Sequence, residues 1–437
     1  NDHYFIHKGV VSYDRATEGT HVKPHYPEMK KAYQWISTDF LEPTSGMIRI
    51  RNKYQFISLD GVEATWSLSE NGKVVDSGKL QLPHIDARRD AYVRVPYKLN
   101  NIDPNAEYFL RVSYKLKDST LWANKGFEIA SEQFKLPMNT PPAFENNSKM
   151  PIKVSQNPKT VNVTGEGFAL AFDKQSGMLN KLEKNGVNIL AKDGAPKLHL
   201  WRAAHRDDDM WAYGQWNRFG VDSLKYSLVN LKVEPVSKYA VKIVSIVKAE
   251  GKLGFGAYHT ATYLINGDGD VTVDNKIQFT GLRINLARIG VRYEFDKKFD
   301  KMTYFGRGPI ENYADRKTAS DVGLYTLDVN DQYEYEKPME HGNHEDVRWA
   351  SFSGNGMPSV TFKSDNNLMQ VSALPYTDEQ MQNVEYKIDL PASNATVFTL
   401  STKTLGVGSN GCGPRPLDKY MVWSDNTEFS YTLKLLK

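Results

Sequence analysis

Along most of this chain hydrophobic residues recur at every second position, and only an extended strand turns that spacing into a continuous apolar face. Val62, Ala64, Trp66 and Leu68 alternate with polar residues and run into Glu70-Asn71-Gly72-Lys73. There, Asn-Gly supplies the two positive φ angles of a type I′ hairpin turn. Leu110, Val112, Tyr114 and Leu116 alternate with Arg111, Ser113, Lys115 and Lys117, which predicts a strand with one face buried and one face wet. The same rhythm recurs in Phe168 to Phe172, Tyr239 to Val247, Val291 to Phe295 and Phe429 to Leu435. A helical period is visible only where Met29, Ala32, Tyr33 and Ile36 fall at i, i+3, i+4 and i+7 behind Pro27, which predicts one short helix over 27–36. No repeat of fixed length accompanies the strands, which argues against a propeller or solenoid. The expected fold class is mainly β.

At about 100 to 200 residues per domain, 437 residues imply two to four domains. Some seven short strands fit a β-sandwich of immunoglobulin-like size over 37–138. The Pro- and Asn-rich run over 139–152 cannot continue a sheet and reads as a linker. Residues 153–437, again nearly all strands, form one large sandwich; residues 1–36 belong to neither unit. No apolar run approaches the ~20 residues that span a bilayer, so a soluble chain of periplasm or cytoplasm is expected, with no membrane partner. The 55 basic and 52 acidic residues are spread evenly and leave a net charge of +3, which gives no footprint for nucleic acid. The single cysteine, Cys412, excludes an internal disulfide. With 24 Tyr, 19 Phe and 8 Trp the chain is rich in rings that suit sheet faces and also stack on sugars.

Four stretches are more polar than strand logic requires. In Leu198 to Trp216, Arg202, His205, Arg206, Asp207, Asp208 and Asp209 lie among Trp201, Trp211, Tyr213 and Trp216. Charges that orient hydroxyls beside flat rings are what a sugar site needs; a solvated loop with local ion pairs is the alternative. In Tyr304 to Tyr325, Glu311 and Asp315 could form the carboxylate pair of a retaining glycosidase. The stronger reading pairs Asp315 with Arg316 and lets Asn312 hold the turn. In Met339 to Trp349, His341 and His344 stand beside Glu340 and Glu345. The glycine between them opposes a metal-binding helix, so hydrogen bonding in a loop is expected. Leu405 to Pro416 is a tight glycine-rich loop with no helix pattern after it, which removes the phosphate-cradle reading. Cys412 in that loop reads as a packed thiol.

Together these stretches resemble the C-terminal part of the five-domain β-galactosidases of glycoside hydrolase family 2, over essentially the whole chain. Asn1-Asp2, Phe5 and Gly9-Val10-Val11 are similar to the end of that family's catalytic barrel, and Glu107 to Leu136 to its second immunoglobulin-like domain. GFALAFDKQSGMLNKL, LHLWRAAHRDDD, FGRGPIENYADRKTA and MEHGNHEDVRW are similar to its last domain, a galactose-mutarotase-like supersandwich called the small-chain domain. The resemblance implies that residues 1–36 are the end of a barrel whose nucleophile and acid/base glutamates lie upstream. The chain itself is then a non-catalytic portion of an enzyme that hydrolyses terminal β-galactosides. Its partners would be the N-terminal and barrel domains and a β-galactoside, with self-association into a homo-oligomer through surfaces the barrel would cover.

The same resemblance places Asn1, Phe5, Asp207, Asp208 and Trp211 at the substrate pocket and a sodium ion on the Phe5 carbonyl. It leaves this chain without a cofactor of its own and gives magnesium and sodium to the longer enzyme. Two departures qualify it. An asparagine ligand of the sodium falls at Lys8, whose ammonium cannot coordinate a cation. The mobile loop of the family is shortened to 210–216, which favours a fixed aromatic wall around Trp211 over a lid. A carbohydrate-binding module and a mutarotase-like isomerase are the alternatives; neither needs the barrel-like residues 1–36.

Overall fold

The computed structural model describes residues 11–14, 19–24, 26–43, 45–99, 102–138, 148–205, 209–332, 335–391, 394–408 and 413–435. Most of the expected linker, at 139–147, and Cys412 lie outside them. Among the described residues the chain divides into two compact units, one drawn from 1–24, 144–317 and 325–437 and the other from 25–143 and 318–324.

The smaller unit is a two-sheet antiparallel sandwich. Ile36–Glu42, Met47–Asn52 and Asp90–Arg94 form one sheet; Lys73–Leu80, Val62–Glu70, Tyr108–Leu116 and Glu128–Lys135 form the other. Alternation decides what is inside. Ile48 and Ile50 from the first sheet meet Ala64, Trp66, Leu68, Val112 and Tyr114 from the second in one core. At about 25 cal/mol per Å² of apolar area, each large side chain buried there contributes roughly 1.5–3 kcal/mol. The hairpin turn has the expected residues and angles, φ 47° at Asn71 and 83° at Gly72, with Glu70 paired to Lys73. The strand Tyr108–Leu116 departs from simple alternation, because Phe109 and Ser113 are also buried.

The helix expected over 27–36 is shorter, Tyr26–Ala32, and buries none of its residues. Ile36 is not its fourth apolar position. It opens the strand Ile36–Glu42 and packs into the sandwich core, so the helical spacing there joined two elements of different period.

In the larger unit eight strands of one sheet run antiparallel in the order Lys225–Ser237, Ala240–Glu250, Gly256–Asn266, Asp270–Thr280, Thr427–Lys434, Met357–Ser364, Trp349–Gly354 and Lys301–Gly308. A five-stranded sheet has the order Lys197–His199, Arg288–Asp296, Ala395–Thr404, Met369–Leu374 and His344–Val347. Tyr293, Phe295 and Phe398 of this sheet and Phe352, Phe362 and Tyr431 of the larger one share a ring-rich core. A third sheet covers Lys153 to Asn188. No helix among the described residues is long and apolar enough to cross a membrane.

Candidate functional site

At the edge strand Lys197–His199 the chain leaves the five-stranded sheet and is fastened repeatedly up to His205, and again at Asp209. Neutral His199 donates from Nε2 to Asp378 at 2.8 Å. Burial lowers the His199 pKa, while the Asp378 carboxyl, despite a burial that opposes ionisation, is held low by His199 and by Arg288 and Arg292. The other oxygen of Asp378 takes the Ala203 N–H at 2.7 Å, and Gln382 takes that of Ala204 at 2.8 Å. Both acceptors sit on a helix, Asp378–Asn383, started by a capping box between Thr377 and Gln380.

Arg202 is 1% exposed and makes four hydrogen bonds with its guanidinium. Nε and Nη2 donate to the two oxygens of Asp209, each at 2.8 Å, while Nη1 and Nη2 donate to the carbonyls of Leu405 and Gly406 at 2.9 and 3.0 Å. Asp209 also accepts the His205 N–H at 3.0 Å. Burial opposes its ionisation, but the charges of Arg202 and His205 and their hydrogen bonds outweigh that and hold the carboxyl well below the usual range. Arg202 and Asp209 are therefore a local arginine–aspartate pair, as the alternative reading expected, but a buried one; Arg206, Asp207 and Asp208 lie outside the described residues.

Asp209 caps a helix, Met210–Phe219, without a side-chain cap bond, because its carboxylate is already committed. Ala212, Trp216 and Phe219 are its buried face; Trp216 Nε1 donates to the Asn285 carbonyl at 3.0 Å. The helix stops at Gly220, whose φ of 65° forms the left-handed cap. Residues 210–216, expected as a short loop, are thus helical. Trp211 stands on the first turn with the Arg415 guanidinium 4.5 Å from its ring centre.

The other three polar stretches meet this one. His205 Nε2 reaches the Glu340 carbonyl at 3.1 Å and its ring meets Tyr313 edge-on at 5.8 Å. The Glu340 carboxylate is paired with buried Arg288. Glu311 accepts from Arg316 at 2.6 Å, Tyr335 at 2.7 Å and the Gly342 N–H at 2.7 Å. Burial opposes its ionisation, yet Arg316 and these bonds leave its pKa below the ordinary value. Asp315 instead accepts the N–H groups of Val407 and Gly408, both at 2.9 Å. The proposed carboxylate pair is thereby split between two unrelated tasks, and Arg316 pairs with Glu311 rather than with Asp315. Asn312 does hold its turn, donating to the Arg307 and Ile310 carbonyls and accepting from the Glu345 N–H at 2.8 Å.

Both histidines of the third stretch are hydrogen-bonded, His341 in a loop and His344 at the start of the strand His344–Val347. His341 Nδ1 lies 2.9 Å from the Met339 carbonyl and His344 Nδ1 2.9 Å from the Tyr304 hydroxyl. No group of three or more possible metal ligands occurs among the described residues. Around Tyr313, its own hydroxyl, Arg316 Nε and Glu340 Oε1 are buried polar atoms without a partner among the described residues.

This network lies in the larger unit, within the part of the chain that known sequences match: residues 164–435 fit the family described as beta galactosidase small chain. The chain belongs to that family. Ahead of the small-chain region, residues 48–137 match beta-galactosidase domain 4. A beta-galactosidase of Priestia megaterium is 27% identical over 446 residues, covering 99% of this chain and 40% of that protein. One from Kluyveromyces lactis is 24% identical over 437 residues, covering 98% and 40%. The chain spans about 40% of the length of these curated relatives. A solved galactose 1-epimerase from Lactobacillus acidophilus aligns over 65% of this chain and 98% of its own, at 9% identity and a TM-score of 0.36, too loose a likeness to bear on function.

Of the residues the resemblance implies at a sugar pocket, Trp211 is described; Asn1, Phe5, Asp207 and Asp208, with Lys8, lie outside the described residues. Sequence reasoning passed over Arg288, which holds Glu340, and Arg415, which covers Trp211. Arg288 was visible as a charge entering an inward-facing strand; nothing local in the sequence marked Arg415.

Proposed function

We propose that this chain is the non-catalytic C-terminal portion of a retaining β-galactosidase of glycoside hydrolase family 2, supporting the barrel and shaping the pocket for a terminal β-galactoside. What carries the proposal is the convergence of all four polar stretches on one buried network inside the region that matches the small-chain family. Asp209 and Glu311 are held ionised by Arg202 and Arg316, which suits them to fixing backbone and not to donating a proton. The network fastens the turn that leads into 206–208 and the helix that presents Trp211. A rigid mount of that kind lets Asp207, Asp208 and Trp211, with Asn1 and Phe5, complete a site built mainly by upstream domains. The smaller unit, read as immunoglobulin-like, would be the spacer beside the barrel.

Lys8 does not fit a sodium ligand, so no role is assigned to that ion; magnesium would belong to the upstream domains. The isomerase alternative has less support. It needs a histidine acid/base that a sugar can reach, whereas His199, His205, His259, His341 and His344 are all buried. Assays of the purified chain on nitrophenyl β-galactoside and on α-galactose anomerisation separate the readings. Neither reaction is expected above background, and measurable anomerisation would replace the proposal with the isomerase.

A further inference from the structure

The even spread of charge in the sequence hides a local excess on the smaller unit. Arg51, Lys53, Gln55, Arg88, Arg89 and Asp90 line an open surface depression of about 480 Å³. Asp90 is taken up by Arg51, whose Nε and Nη2 reach its two oxygens at 3.1 and 3.2 Å. The side chains of Lys53, Arg88 and Arg89 have no partner among the described residues, so the cavity carries three uncompensated positive charges in a chain whose net charge is +3.

The site is also built. Asn52, fully buried on its wall, donates to the carbonyls of Ile57, Ile85 and Asp86 at 2.9, 3.2 and 3.1 Å and accepts the Tyr54 N–H at 2.9 Å. One amide thus ties together the two loops that bring the cations in. Arg88 holds a left-handed backbone, φ 63°, which is uncommon for a non-glycine residue. Asp86, the nearest further carboxylate on these loops, faces His84 at 3.0 Å.

We propose that this cavity binds the carboxylate of an acidic sugar residue. A guanidinium fork matches a carboxylate in two-point geometry, and the Arg51–Asp90 pair already shows that geometry inside the cavity. The cations are gathered in one pocket instead of lying along a strip, which favours one anionic residue over the repeated phosphates of a nucleic acid. The anion site stands on the smaller unit alone; the choice of a glycan as carrier rests on the galactosidase reading.

Titration calorimetry of the 437-residue chain with tetragalacturonate, neutral galactotetraose and tetrathymidylate at low salt tests this. Tetragalacturonate is expected to bind, neutral galactotetraose to give no heat, and tetrathymidylate to bind at least tenfold more weakly. Lys53→Gln with Arg89→Gln, and separately Arg88→Asn, which tolerates the left-handed backbone, should each weaken tetragalacturonate at least tenfold with the melting temperature unchanged. Arg49→Gln, outside the cavity, should stay within twofold. Absence of binding, binding unchanged in the cavity variants, or equal binding of the neutral sugar would overturn the site. Equal or tighter tetrathymidylate binding would overturn the glycan assignment. Galactosidase turnover is scored separately and is unaffected by either result.

Discussion

Replacing Asp209 with asparagine keeps the shape of the side chain and removes its charge, leaving Arg202 as a buried, uncompensated cation. Arg202 and Asp209 side chains are 1% and 2% exposed, so water cannot rescue either group. Removing one partner of a buried ion pair costs about 3–5 kcal/mol. For a unit of about 300 residues the unfolding entropy near 60 °C is about 0.6 kcal/mol per kelvin, so that loss becomes a fall of roughly 5–8 °C in melting temperature. Calorimetry should locate the fall in the transition of the larger unit. Arg202→Met with Asp209→Leu should recover only part of it, since the Leu405 and Gly406 carbonyls and the His205 N–H still lose their partners. The carboxylate's folded pKa is depressed, so its stabilisation is whole above about pH 4 and fades as pH falls through the folded value. A fall of under 1 °C for Asp209→Asn, or full recovery in the double variant, would refute the reasoning.

Other expectations concern groups elsewhere in the fold. Burial drives the His344 pKa down to about 4 against an unfolded value near 6.5, so stability should decline as pH drops from about 6.5 toward 4, by an amount on the order of 3 kcal/mol. His344→Gln should flatten that slope in urea titrations, and an unaltered slope would count against it. Asn52→Ala removes four hydrogen bonds at one buried point and should cost the smaller unit about 2–3 kcal/mol, read as a lowered midpoint of its unfolding; no change would show that the two loops hold without it. Exposed His84 has its pKa raised by hydrogen bonds to Asp60 and then Asp86. Its contribution is present below pH 6.5 and is lost as pH rises through the raised value. Ring titration by NMR should give a pKa above 6.5 that falls in Asp60→Asn, and an unmoved value would contradict the assignment.

Strands were legible because period two is a direct record of burial: Ala64, Trp66 and Leu68 are both the sequence signal and the core. Helices were less so. Ala212, Trp216 and Phe219 do stand at i, i+4 and i+7 before Gly220, but Trp211 and Tyr213 interrupt the stripe and Asp209 turns its carboxylate away from the cap. The start of Asp378–Asn383 is written in Thr377 and Gln380, yet six residues are too few to show a period. The four polar stretches could be singled out by composition alone. Their convergence could not, because it depends on long-range bonds such as those from Arg202 to Leu405 and Gly406. Neighbours in sequence misled at Asp315 and Arg316, where Glu311 and the Val407 and Gly408 N–H groups are the partners instead.

The central claim is that the chain serves a β-galactosidase without performing its chemistry. Hydrolysis of nitrophenyl β-galactoside should be measured for the 437-residue chain alone and for the intact polypeptide that carries its upstream coding sequence. The account predicts no turnover above the uncatalysed rate for the chain alone, and turnover in the intact polypeptide with a KM that rises when Trp211 is replaced by alanine. Turnover by the chain alone, or none in the intact polypeptide, would contradict it.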